Sequence, residues 1–345
     1  MRYRKLGVYA VAVALMGTAA CSQSQPDDGE GVRSINLTLS STAMSSGPIL
    51  AAITQDTFGD HGLEVNYTST AGDSTTALAT VASGQAPFAT VGASTVIDAQ
   101  QEGLPVQFVL NIESPAVTIA MRDDIAAEIM AETGVGPDSP IAERVEALRG
   151  LQIGAPPSGG ANYTLLALML NRNGIDPESD VTLLPSDQQT VVSGIKGDRF
   201  EVGFWSAGAL EGAIVDGDAV KWIDVSAGDI PEFSDFLYMT AITSEDVINE
   251  DPELVNDFIA SVRDGAQLLI DDDADTKAAI KEEFFPTLPD GTWDLTWDSA
   301  RQAVIPNQTF TQEALDYTVE ATETVYGRVY EDLMLADLVV EQARD

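Results

Sequence analysis

Cysteine and histidine are nearly missing from this 345-residue chain, which has one of each. A single cysteine excludes a disulfide framework. The same scarcity excludes the thiolate and imidazole sets that hold zinc and other transition metals. Basic side chains are few: 17 Lys and Arg stand against 55 Asp and Glu, a formal charge of −38. A field of that sign repels phosphate backbones, so nucleic acid is not an expected partner. Catalytic fingerprints are missing as well. A G-x-S-x-G elbow fails around Ser206, because Phe204 stands where glycine is needed. A Ser-His-Asp triad would have to use His61, which lies between Asp60 and Gly62 in a turn at the wrong end of a strand for a cleft. Gly154-Ala155-Pro156 breaks the glycine spacing of a nucleotide loop. No enzyme activity, cofactor or metal site is therefore expected.

What is present begins with a leader. Arg2, Arg4 and Lys5 precede an apolar run over 6–15, and small residues lead to Cys21. The run is too short for the roughly 20 residues that span a bilayer, and the pattern is that of a secretory signal over 1–20. Thr18-Ala19-Ala20-Cys21 resembles a bacterial lipobox, with Thr18 where leucine is most frequent. It implies acylation of Cys21 and retention at a membrane surface, since each buried CH₂ contributes about 0.8 kcal/mol. Residues 21–32, polar apart from Val32, read as a flexible tether. The remainder is too long for one ordinary core and suits two domains.

From Ile35 onward, strands and helices alternate, the pattern of an α/β sheet. The stretch LQIGAPPSGGANYTLLALMLNRN reads as a strand over 151–155, a Pro, Ser and Gly loop, and a helix from Ala161. A Gly-rich loop lets backbone approach a ligand, and a helix start presents unpaired N–H groups and a positive dipole end. The construction occurs twice. Gly47 and Gly159 are 112 positions apart, as are Gly62 and Gly174; Asp73 and Asp187 each precede a helix. This is an internal repeat of about 110 residues, hence two similar lobes. The expected division is 33–115 with 237–345 as lobe 1 and 116–236 as lobe 2. Two crossings, over 114–117 and 227–236, form a hinge pair. One helix is expected from Pro48 to about Phe58, an amphipathic helix over 253–270, and further helices over 276–285, 298–303, 311–326 and 333–340.

Ligands in open α/β sheets bind at the carboxyl ends of strands. Two facing lobes would put both sets of loops around one cleft. The candidate ligand-binding residues are Thr42, Met44 and Ser46; Gly72 and Asp73; Gly92, Ala93 and Ser94; Glu113; Ser158, Gly159, Gly160 and Asn162; Asp187 and Gln188; and Trp205. They include three carboxylates and no Lys or Arg; Arg122 and Lys221 lie away from the loop tips. A bare anion would face those carboxylates with only a helix dipole to offset them. A zwitterion fits better, its acidic group at loop 158–162 and its amine at Glu113 or Asp73, as does a pyrimidine with an exocyclic amine. Tyr238 reads as core of the returning strand, and Trp293 with Trp297 as C-terminal packing.

The ordered set GPILAAITQDTFGDHGLEV, ALATVASGQAPFATVGASTVIDAQQEGLPVQFV, LRGLQIGAPPSGGANYTLLALMLNRNGIDPESDVTLL and INEDPELVNDFIASV resembles the nitrate, sulfonate, taurine and thiamine-precursor type of ABC-transporter substrate-binding protein. The resemblance covers roughly residues 35–270. It implies a type II periplasmic-binding-protein clamshell that hands a small solute to a membrane permease and its ATPase, and a monomer is expected. It also implies ligand contacts from the loops at 42–46, 92–94 and 158–162. Trp205 departs from the family pattern: Ser206 and Ala207 follow it where an acidic residue or proline is common. Two other outcomes belong to the same fold: a thiamine-pyrimidine synthase that consumes its own histidine, and a solute sensor docking to a membrane receptor.

Overall fold

The computed structural model describes residues 32–330 and 333–344. The leader, Cys21 and all of the tether except Val32 lie outside the described residues. In chain order the first half contains β1 (Arg33–Leu39), α1 (Gly47–Thr54), α2 (Thr57–Asp60), β2 (Leu63–Ser69), α3 (Ser74–Ala82), β3 (Phe88–Gly92), α4 (Ala93–Gln101) and β4 (Val106–Glu113). Next come β5 (Val117–Arg122), α5 (Asp123–Thr133), α6 (Ile141–Glu146), β6 (Gln152–Ala155), α7 (Ala161–Arg172), β7 (Thr182–Pro185), α8 (Gln188–Lys196), β8 (Val202–Ser206), α9 (Glu211–Val215) and β9 (Ala219–Asp224). The chain closes with β10 (Met239–Ser244), α10 (Glu245–Glu250), α11 (Pro252–Ile270), α12 (Ala274–Phe284), α13 (Asp290–Ala303), α14 (Gln312–Tyr326) and α15 (Leu335–Leu338).

Two five-stranded sheets result, with orders β2-β1-β3-β10-β4 and β7-β6-β8-β5-β9. In the first, β1 runs parallel to β2 and β3, and β10 antiparallel to β3 and β4. In the second, β6 runs parallel to β7 and β8, and β5 antiparallel to β8 and β9. The two sheets thus share one topology. In each, the antiparallel fourth strand is the one the chain lays down on arriving from the other sheet. The expected two α/β lobes are present, and the crossings run over 114–116 and 225–238.

Each sheet has its own core. Leu37, Phe88, Phe108 and Phe258 belong to the first, with Phe88 and Phe258 stacked at 3.9 Å between ring centroids. Ile153, Leu166, Phe204 and Trp222 belong to the second. Helix α14 reaches both: Ala314 and Leu315 are buried in the first core and Ala321 in the second.

Several elements differ from the sequence reading. The single helix expected after Pro48 is two, because Asp56 adopts a left-handed φ of 58° between α1 and α2. Helix α13 starts at Asp290 rather than Asp298 and buries Trp293 and Trp297 on one face. The terminal helix expected over 333–340 shrinks to Leu335–Leu338. Beyond it, Val339 bridges to Phe108 and Val340 N–H donates to the Phe108 carbonyl at 2.9 Å, so the chain runs on beside β4.

Candidate functional site

The loops that leave the carboxyl ends of the strands gather around one cavity of about 810 Å³. Ser40, Met44, Asp73 and Ser94 line it from the first sheet's side; Gly160, Asn162, Asp187 and Trp205 line it from the second. Four helices begin at its wall, and their starts differ in charge. Asp73 caps α3, accepting from Thr76 N–H at 2.9 Å and the Thr76 hydroxyl at 2.6 Å. Asp187 caps α8, accepting from Thr190 N–H at 2.7 Å. These hydrogen bonds to Thr76 and Thr190 hold both carboxyls below the usual range, so both stay ionised. Helices α4 and α7 start at Gly92 and Gly160 without a side-chain cap. Their first-turn N–H groups, less those already bonded, remain positive ends on the cavity. Ser94 reinforces the α4 end. It is 8% exposed, lines the cavity, and its hydroxyl makes no hydrogen bond among the described residues.

Of the residues read from the sequence, Met44, Gly72, Asp73, Gly92, Ser94, Gly160, Asn162, Asp187, Gln188 and Trp205 line the cavity. Thr42, Ser46, Ala93, Glu113, Ser158 and Gly159 do not. Thr42 is half-buried in the loop after β1, and Ser158 is exposed. Ser46 is buried and donates its hydroxyl to the Ser41 carbonyl at 2.9 Å. Ala93 N–H donates to the Tyr238 carbonyl at 3.1 Å, which fixes the start of α4 against the returning chain. Gly159, with φ of 106°, turns its N–H to the Tyr326 hydroxyl on α14 at 3.0 Å. Glu113 is completely buried, and neither carboxylate oxygen has a partner among the described residues. Desolvation raises its pKa well above the ordinary carboxylate value. It is therefore not a carboxylate presented to the cleft.

Tyr238, expected as core of the returning strand, is buried in the second core and reaches the cavity as well. It lines the cavity with Met239. Its hydroxyl donates to Asn162 Oδ1 at 2.7 Å, Asn162 Nδ2 donates to Ser206 Oγ at 2.9 Å, and Ser206 Oγ sits 2.7 Å from the Tyr238 hydroxyl. That closed ring joins the returning crossing to α7 and β8. Burial, with a further contribution from Glu113, pushes the Tyr238 hydroxyl above its ordinary value, so it stays a neutral donor. Phe285 and Thr296 line the cavity too, carried there by the C-terminal helices. No local signal marks them, because only the tertiary path brings residues so distant in sequence to the cleft. No Lys or Arg is among the lining residues. Arg122 pairs with Asp124 and Asp198, and Lys221 with Asp224 at 2.6 Å. His61 does not line the cavity, and its Nε2 lies 2.8 Å from Asp264 Oδ2.

The family model described as NMT1/THI5 like matches residues 43–275, which contain nearly all the loops just described. The chain belongs to the NMT1/THI5 like family. Among solved structures, the periplasmic aliphatic sulphonate binding protein SsuA from Escherichia coli matches with a TM-score of 0.69 at 12% identity, over 90% of this chain and 92% of that one. The alkanesulfonate-binding protein SsuA from Xanthomonas axonopodis pv. citri, bound to MOPS, matches at 0.65 and 14% identity, over 91% and 96%. The periplasmic nitrate-binding protein NrtA from Synechocystis matches at 0.57 and 13%, over 78% and 70%. At these identities the likeness is one of fold, and the periplasmic-binding-protein architecture expected from the sequence is the architecture found. A comparison with curated proteins by sequence found no match. No helix among the described residues is long and apolar enough to cross a membrane.

Proposed function

We propose that this protein is an exported solute-binding protein that captures a small polar molecule between its lobes and delivers it to an ABC permease and its ATPase. Residues 33–115 with 237–345 form one lobe in this reading and 116–236 the other. Cys21 carries a lipid anchor at the outer face of the cytoplasmic membrane, and the protein works as a monomer without catalytic turnover. The observation that carries the reading is the cleft into which both sheets send their strand-end loops. A synthase reading needs a histidine in that cleft, and the sole histidine is paired with Asp264 elsewhere.

The cleft also bears on the solute. Two ionised aspartates and two uncapped helix starts line it, with no basic side chain. This suits a zwitterion of the taurine kind or an aminopyrimidine, with its acceptor end at Ser94 and the start of α4 and its donor end toward Asp73 or Asp187. A helix dipole contributes about 0.3–1 kcal/mol, up to about 2 when partly buried. That is too little to hold nitrate tightly against two carboxylates. A melting screen of the soluble chain against taurine, aminopyrimidines, nitrate and simple alkanesulfonates tests this. A solute at 100 times its Kd stabilises by about 2.7 kcal/mol. Tight binding of nitrate that ignores Ser94→Ala, Asp73→Asn and Asp187→Asn would defeat the assignment. Anchoring is tested separately: Cys21→Ala should release the protein or leave its precursor uncleaved, and a cleaved variant still held at the membrane would refute it.

A further inference from the structure

Both crossings pass one buried acid. Glu113 is the last residue of β4, immediately before the first crossing. Its ladder partner Met239 is the first residue of β10, immediately after the second. Glu113 also bridges to Val304, and Ser114 N–H and Oγ both donate to the Ala303 carbonyl, at 2.9 and 3.0 Å. The Glu113 side chain is 0% exposed, and its two oxygens make no hydrogen bond among the described residues.

No base offsets it. Neither β10 nor residues 303–309 carry a titratable side chain. Arg301, the nearest base along that segment, is engaged by Asp272 and Asp298. On the other elements packed against β4, Asp98 is paired with Arg328, Asp257 with Arg33 and Asp264 with His61, Arg263 donates to two backbone carbonyls, and the remaining acids are exposed. The titratable group that feels Glu113 is Tyr238, on the returning crossing, whose hydroxyl belongs to the ring with Asn162 and Ser206 on the cavity wall.

An ionised carboxylate in a dry, unpaired position is strongly disfavoured, and the group takes a proton instead. A crossing that loosens admits water to Glu113 and returns it to ordinary acidity. The intact crossing then binds more protons than the loosened one, so loosening is favoured as pH rises. We propose that Glu113 is a proton-operated lock on the hinge: neutral, it holds the two crossings together, and ionised, it favours their loosened form. For the solute this rests on the reading of the cleft given above, and retention should be firmer at lower pH.

The test uses the empty protein, so its result does not depend on which solute, or whether any, the cleft takes. Amide exchange is followed as pH is raised and expressed as protection relative to an unfolded chain, which removes the intrinsic base catalysis. Ser114 N–H, bonded to Ala303 O, and Leu237 N–H, bonded to Thr318 Oγ1, report the two crossings. Both should lose protection by up to about tenfold per pH unit above about 4.3, the slope for release of one proton. Amides of β1 and β3 should keep theirs. Glu113→Gln, neutral at every pH, should flatten the profile; Glu113→Met takes its place if that variant does not fold. Constant protection at the crossings of the wild type would overturn the proposal. So would a loss shared equally by β1 and β3, which would make Glu113 a matter of global stability alone. A loss that survives in the neutral variant would belong to another acid and would overturn it too.

Discussion

Glu211, the first residue of α9, is completely buried beneath the turn that forms one cavity wall. Its Oε2 accepts from Gly208 N–H at 2.8 Å, and Oε1 has no partner among the described residues. Burial raises its pKa, and the Gly208 hydrogen bond only partly opposes this. The sign follows from linkage. A carboxyl whose folded pKa is raised binds its proton more tightly in the folded chain than in the unfolded one. Its favourable contribution is complete below the ordinary glutamate value of about 4.3 and is lost as pH climbs to the raised value. Glu211→Gln should therefore gain stability relative to wild type as pH rises above about 4.3, read as a widening difference in denaturation midpoint. A constant difference across that range would mean the carboxyl ionises freely where it lies. Gly159 tests a different constraint. A Cβ there would meet no atom within 4 Å, but φ of 106° is glycine's own region. Gly159→Ala should cost about 1–3 kcal/mol from backbone strain alone; a neutral result would show that the loop relaxes freely. Asp73 and Asp187 were legible in the sequence because capping is a local rule. The core position of Tyr238 was legible too, but the polar role of its hydroxyl was not, because its partners Asn162 and Ser206 are distant in sequence.

Among the elements, β1 to β4 and the helices between them were largely legible, since each strand–loop–helix unit carries its own turn and cap residues. The stretch 118–150 was not legible. Strand β5 is buried on both faces except at Arg122 and shows no alternation, and α5 buries only Ala126. Neither offers a periodic signal. Helix α11 was legible from its strong apolar face, but its closest approach was not. A Cβ on Gly265 would lie 2.2 Å from the Pro48 carbonyl oxygen and 2.9 Å from Ala52 N. Backbone stands in the way on both counts, so α1 and α11 would have to separate. Gly265→Ala should destabilise by about 1–3 kcal/mol or more, as overpacking does. Because α1 follows the loop that holds Ser41 and Met44 at the cavity, solute affinity should fall with it. Urea denaturation checks the first point, and unchanged stability would mean the contact yields easily.

At the scale of the whole molecule, the two sheets are joined by two stretches of chain and also by α14. Ala314 and Leu315 of that helix are buried with one core and Ala321 with the other. Between them, Thr318 accepts Leu237 N–H at 2.8 Å, at the returning crossing itself. A rotation of the lobes about their crossings would keep this contact, which lies on one of them, and would move the helix end beyond it. At one end, the Tyr326 hydroxyl holds Gly159 N–H at 3.0 Å and Thr164 Oγ1 at 3.1 Å, and its ring stacks on Tyr163 with centroids 6.2 Å apart. Just beyond it, Arg328 and Tyr330 reach back to Asp98 on α4 at 2.6 and 2.7 Å. Both partners of the Arg328–Asp98 pair are well exposed, and such pairs contribute about 0–1 kcal/mol. The Tyr326 end adds ring packing to its hydrogen bonds, so the Asp98 tie should release first. With a solute from the melting screen bound, X-ray scattering should show a smaller radius of gyration. Amide exchange should then quicken at residues 327–330 while Gly159 stays protected. A shrinkage that instead exposes Gly159 and leaves 327–330 unchanged would mean that α14 travels with the first lobe and frees the loop before α7 for the solute. No shrinkage, with binding shown independently, would mean a rigid site.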